Sequence, residues 1–294
     1  MWIGWRFLRA ARKLLRMSVC MATTNGALIR TIILMTVGTL MELQANLKTL
    51  NLSQMARNLE GLLRQSRESG IGYDEFLLEL TAAELHARAE NRLNRRIREA
   101  KFPLLKPMET FDLAAVPELD IRLFRDLATG NFIKEHRNVI FLGGSGTGKT
   151  HMATALGIEA CRNNFRTRFV TCYGLVNELI ESRQEKTLQR LLQRHARYDL
   201  LILDELGYIP FSKEGSELLF QVLAERHERG SVMITTNLGF ADWTQVFGDP
   251  VMTAALLDRL THKARIINCN WNSYRLKQSL REKSKRGESR PQSR

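Results

Sequence analysis

Apolar residues recur at Leu47, Leu50, Met55, Leu59, Leu62 and Leu63, close to the 3.6-residue period of an amphipathic helix over 47–67. Gly70 and Gly72 break that pattern. A second, longer helix is predicted from Tyr73 to Lys101 on Phe76, Leu77, Leu80, Leu85 and Leu93, and Pro103 and Pro107 end it. From Asn138 the pattern changes. Short, almost wholly apolar runs at 138–142, 168–171, 200–203 and 232–236 alternate with helical stretches at 149–163, 175–183, 187–196, 213–229 and 250–261, and a last short strand is expected near 264–269. Continuous apolar strands between helices imply a parallel sheet covered on both faces, an α/β architecture. No internal repeat is evident. The expected organisation is a small all-helical domain at 41–104, an α/β domain at 105–278, and a charged, apolar-poor tail at 279–294 expected to be disordered.

The first predicted strand runs into Gly143-Gly144-Ser145-Gly146-Thr147-Gly148-Lys149-Thr150, which fills the pattern G-x-x-x-x-G-K-T. Glycines let the backbone wrap a phosphate closely, successive N–H groups point inward, and the helix that follows adds its positive end. The pattern predicts ATP as ligand, with Lys149 reaching the β- and γ-phosphates and the Thr150 hydroxyl on Mg²⁺. A chance glycine turn would lack the strand before and the helix after.

Leu200-Leu-Ile-Leu203 leads into Asp204-Glu205, which places two carboxylates at the sheet edge where phosphates would lie. Asp204 is expected to hold the magnesium through water and Glu205 to orient and deprotonate the attacking water. A glutamate there favours hydrolysis over transfer to a second substrate. The strand at 232–236 ends in Asn237, which could bridge the γ-phosphate and the water, or could merely start a turn. Arg259 and Arg275 could each stabilise charge on a transferring phosphoryl group, or could be surface ion-pair partners.

Lys and Arg outnumber Asp and Glu by 44 to 31, a net +13 that suggests a polyanionic partner. Much of it sits at the ends. Residues 1–40 carry Arg6, Arg9, Arg12, Lys13, Arg16 and Arg30 without an acid, and 275–294 carry eight basic residues against Glu282 and Glu288. Residues 2–17 could form a basic surface or targeting helix. The preferred reading is an upstream extension from a start assigned too early, because Met35 and Met41 precede the regular helical pattern; the net charge would then be nearer +7. The apolar stretch at 31–41 is shorter than the roughly 20 residues a membrane span needs, so no transmembrane segment is expected; no membrane partner and a cytoplasmic location are the expectation, the latter read from the cysteines. Cys20, Cys161, Cys172 and Cys269 are too scattered for a metal pair and are expected as reduced core thiols. Arg88, Arg92, Arg95 and Arg96 share a helix face that could track phosphates, or could be solvated and paired with Glu84, Glu90 and Glu99. No base-reading helix is evident, so any DNA binding should carry little sequence specificity.

Taken together, 143–150, 200–208 (LLILDELGY), 234–237 (ITTN), 257–260 (LDRL) and 273–277 (SYRLK) resemble the IstB-type AAA+ helper ATPases of bacterial insertion sequences, relatives of the DnaC helicase loaders. The resemblance extends over about 41–280 and leaves 1–40 without a counterpart. It implies a homo-oligomeric ATPase that binds double-stranded DNA and delivers target DNA to a cognate transposase. It also implies that Arg259 acts as an arginine finger on a neighbouring subunit's ATP and Arg275 as a sensor within its own subunit. A replicative helicase loader with the same core, or a non-enzymatic adaptor shaped by nucleotide, are the alternative readings.

Overall fold

The computed structural model describes residues 38–111, 116 and 118–273. The expected tail at 279–294, Arg275, and all but the last three residues of the expected extension at 1–40 lie outside the described residues. Two compact units make up the chain, one through Asn91 and one from Arg92 onward.

In the first unit, the helix expected over 47–67 is in fact two. Residues 38–49 are helical, and Asn51 then adopts a left-handed φ of 58° while Leu52 N–H reaches back to Leu47 O at 2.8 Å. This is a helix-ending turn that asparagine tolerates better than most residues, and apolar periodicity cannot reveal it. Helix α1 (Ser53–Ser69) follows, with no side-chain cap from Leu52. Its first amides are instead capped by Glu84 of α2 (Tyr73–Ala100), which accepts from Gln54 N at 2.8 Å and Met55 N at 3.2 Å. Arg88 secures that carboxylate at 2.8 Å and donates to Asn51 O at 2.8 Å. The clip satisfies orphan donors that would otherwise cost about 1 kcal/mol. It also engages Arg88 internally, whereas the sequence placed this residue among candidate phosphate contacts.

In the second unit, β1 (Val139–Leu142), β2 (Thr167–Thr171), β3 (Leu200–Leu206), β4 (Ser231–Thr236) and β5 (Arg265–Asn268) form one sheet in the order β2-β3-β4-β1-β5. Every pairing is parallel. Helix α3 (Ile121–Ala128) precedes β1, its start capped by Asp120. Between strands run α4 (Lys149–Arg162), α5 (Cys172–Gln184), α6 (Leu188–Ala196), α7 (Lys213–Arg226) and α8 (Pro250–Thr261). Successive residues of β3 serve opposite faces. Leu200 and Ile202 pack with Phe141, Met152 and Leu156, while Leu201 and Leu203 pack with Leu179, Leu219 and Trp243. Both faces are dry, which is why the strands read as unbroken apolar runs. Gly157 lets α4 approach the sheet: a Cβ there would stand 2.7 Å from both Ile202 Cδ1 and Phe102 Cε1. The three described cysteines, Cys161, Cys172 and Cys269, are buried and free. Among the described residues, no helix is long and apolar enough to cross a membrane.

His195, at the end of α6, is 1% exposed, and neither ring nitrogen has a hydrogen-bond partner among the described residues. Burial depresses its pKa to about 4, against a partial upward pull from Glu178. The folded state therefore holds the neutral ring, whereas the unfolded chain takes up a proton near pH 6.5. Its contribution to stability should be intact above about pH 6.5 and decline as pH falls towards 4. Replacing His195 by Leu should flatten the acid limb of the unfolding free energy over that window, measured by urea titration at a series of pH values.

Candidate nucleotide site

The sheet order places β4 between β1 and β3. The glycine loop leaves the end of β1, the two carboxylates lie near the end of β3, and the last residues of β4 necessarily stand between them.

Three loop glycines hold φ values closed to most side chains: Gly143 at 156°, Gly146 at 78° and Gly148 at 94°. Gly143 has a further reason to be glycine. A Cβ there would lie 2.3 Å from Cys269 O, because the chain after β5 runs directly against the loop. Trp271 fastens this contact by donating its indole N–H to Thr147 O at 2.8 Å. Thr147 is itself buried and donates to Gly144 O at 3.0 Å. Lys149 opens α4 and donates to the carbonyls of Gly143 and Gly144 at 2.8 and 2.7 Å.

The Thr150 hydroxyl donates to Asp204 Oδ1 at 3.0 Å. The same oxygen accepts from the Thr235 hydroxyl at 2.5 Å. Asp204 is 4% exposed, so these hydroxyls meet part of the cost of burying a carboxylate. Glu205 is exposed to the cavity. It sits where the β3–β4 register shifts between Leu203 and Leu206, at a left-handed φ of 61°. Such a conformation costs a non-glycine residue about 1–2 kcal/mol, and here Thr235 Oγ1 holds it by accepting the Glu205 N–H at 3.0 Å. One hydroxyl thus sets both acids. The bulge turns Glu205 towards solvent while Asp204 stays inside.

A cavity of about 480 Å³ opens above this edge, lined by the loop from Ser145 to Thr150 and by Glu205, Thr235, Thr236 and Asn237. Leu104, Phe111 and His151 also line it, with the Phe111 ring beside Gly148 of the loop. The Phe111 and His151 rings meet edge to face at 5.1 Å, and Thr110 Oγ1 lies 3.2 Å from His151 Nε2. Burial and then the nearby Lys106 charge hold the His151 pKa below its ordinary value, which favours a neutral ring. A loop, a magnesium-competent hydroxyl–carboxylate pair, an exposed glutamate and an aromatic slot together suit a nucleoside triphosphate with its metal.

Of the residues singled out in the sequence, the loop, Asp204, Glu205 and Asn237 come together here. Arg259 does not line this cavity; it sits on α8 with its guanidinium 5.0 Å above the Phe220 ring. Arg275 lies outside the described residues. The sequence reading passed over Thr235, Phe111, His151 and Trp271. Thr235 could have been suspected from Thr-Thr-Asn at the end of an apolar strand; the other three carry no local signal.

Comparison with known proteins identifies the kinship. Residues 45–282 match the family model of IstB-like ATP-binding proteins. An ATP-binding protein of the insertion sequence IS21 from Pseudomonas aeruginosa is 38% identical over 81% of this chain and 89% of its own length. Its counterpart in IS232 of Bacillus thuringiensis subsp. berliner is 34% identical over 80% and 94%. Among solved structures, AMPPCP-bound DnaA from Aquifex aeolicus superposes with a TM-score of 0.50 at 16% identity, covering 62% of this chain and 56% of that one, a likeness of fold alone.

Because Thr235 links both acids, Thr235→Val should destabilise the chain by about 1–3 kcal/mol in denaturant unfolding. Thr235→Ser, which keeps the hydroxyl, should recover most of that loss.

Proposed function

The chain belongs to the IstB-like ATP-binding protein family, and on that premise we propose that it is a DNA-stimulated ATPase that assembles on target DNA and delivers it to the transposase of its insertion sequence. The observation that carries this reading is the Thr150–Asp204 hydrogen bond, which joins the glycine loop to the acidic strand end beside an exposed Glu205.

In this mechanism the loop amides and Lys149 bind the phosphates. Lys149 exchanges the Gly143 and Gly144 carbonyls, which it now contacts at 2.8 and 2.7 Å, for phosphate oxygens. Thr150, and Asp204 through water, would hold magnesium, which would supply positive charge to the phosphates. Glu205 accepts the proton of the attacking water, and Asn237 orients that water. Arg259 serves a neighbouring subunit's site, which fits its position away from the cavity of its own chain. Arg275 is assigned to the nucleotide on the family resemblance. Duplex DNA is the proposed polyanion, bound through backbone phosphates with little sequence preference; the net charge of +13 and the insertion-sequence context of the relatives support this. Cytoplasmic residence follows from that partner.

Glu205→Gln should bind ATP nearly as the parent does but lower phosphate release by at least ~100-fold, leaving a DNA-bound complex that persists on native gels. Lys149→Ala should lose ATP binding outright. A Glu205→Gln protein that still releases phosphate at the parent rate, with DNA stimulation intact, would overturn the assignment.

The arrangement across subunits has its own test. Arg259→Ala should also be inactive, by about 10³-fold or more if it acts as an arginine finger. Mixing it with Glu205→Gln should restore part of the activity, because a mixed interface pairs an intact Glu205 with an intact Arg259. No recovery on mixing would place Arg259 outside the neighbour's site.

A further inference from the structure

Helices α7 and α8 end side by side, and each ends in the same way. His227 is the C-terminal cap of α7 and His262 that of α8. Each histidine is followed by a residue held in the left-handed region, Glu228 at φ 58° and Lys263 at φ 56°. The repeated geometry brings the two imidazoles to a ring separation of 5.8 Å. Glu228 joins them: one donor atom from each of His227, Glu228 and His262 lies within 4.8 Å of the other two.

We propose that His227, Glu228 and His262 form a binding site for a divalent transition metal ion of the Zn²⁺ class, separate from the nucleotide site. Two imidazoles and one carboxylate are the donor set such ions prefer, whereas Mg²⁺ and Ca²⁺ favour oxygen donors throughout. Bonds of about 2.0–2.2 Å require the donor atoms to draw together by roughly 1 Å. His227 is partly exposed and the other two side chains are exposed, so rotation about their side-chain torsions supplies that movement without disturbing the core. The backbone adds attraction, because both helices present their C-terminal carbonyls, the negative end of the helix dipole, to the same place. Water completes the coordination. The competing cation is Lys263, whose ammonium stands 3.9 Å from Glu228 Oε1 with both side chains more than half exposed. An exposed pair of this kind is weak, and a bound ion would displace it. The site would tie the end of α8, one turn beyond Arg259, to the end of α7, which carries Phe220 beneath that guanidinium.

The test uses the untagged, chelator-treated full chain without nucleotide, titrated with Co²⁺ as a visible-light probe and then with competing Zn²⁺. The expected result is a ligand-field absorption that saturates at one ion per chain, is bleached by Zn²⁺ and persists in excess Mg²⁺. His227→Ala and His262→Ala should each weaken binding by at least ~10-fold, since even outer partners of metal ligands are worth 10–100-fold. Lys263→Ala should tighten it. Zn²⁺ should raise the melting temperature of the parent and leave that of the His227→Ala/His262→Ala double variant unchanged. Absence of a saturating absorption, displacement of Co²⁺ by Mg²⁺, or equal binding by the parent and the double variant would each overturn the proposal.

Discussion

A carboxylate taken out of water must be given partners, and Asp204 finds them in two hydroxyls from opposite sides. Thr150 comes from the first turn of the helix after the glycine loop, Thr235 from the end of β4. The loop, the acidic strand and the strand between them are therefore held by one oxygen atom. Shift β4 so that Ile234 takes the place of Thr235, and Asp204 is left half-satisfied and Glu205 without its backbone acceptor. The parallel order β2-β3-β4-β1-β5 makes this bridge possible, because it places β4 between the two motifs that the chain supplies 54 residues apart.

That same order separates what could be read in the sequence from what could not. Strands buried on both faces declare themselves as apolar runs, so Leu200–Leu203 and Val232–Thr236 were legible, and so were the motifs that follow them. The loop was legible for another reason: its positive-φ glycines and its Lys-Thr pair are dictated locally by the shape of a phosphate. Thr235 was legible only as a hint, from Thr-Thr-Asn at the end of an apolar strand. Its role comes from what lies on either side of it in the sheet, and those neighbours are distant in sequence. Phe111 and His151 meet across forty residues, and Trp271 reaches the loop across more than a hundred. The break at Asn51 escaped for the opposite reason. It is a one-residue backbone event, and Glu84, thirty residues on, provides the cap that lets α1 restart.

Arg259 illustrates a third kind of limit. On its own chain it lies over Phe220, away from the cavity, with one guanidinium nitrogen buried and lacking a hydrogen-bond partner among the described residues. In the proposed assembly the guanidinium would have to turn outward to meet a phosphate on the next subunit, and would then report whether that neighbour is loaded. The Phe220 ring holds the group in place and, as an aromatic face, offers attraction to the cation without satisfying its hydrogen bonds.

The two adjacent carboxylates of the site end in opposite environments, and the bulge in β3 is what divides them. In a regular strand, residues 204 and 205 would project from opposite faces of a sheet that is covered on both, burying both charges. The left-handed backbone at Glu205 adds strain of about 1–2 kcal/mol and releases the second carboxylate into the cavity. Asp204, dry and hydrogen-bonded, suits a fixed magnesium ligand. Glu205 faces the cavity, and its backbone N–H is held by Thr235 Oγ1. The strain therefore falls on the residue to which the proposed function gives the attacking water, and a regular β3 would bury that carboxylate.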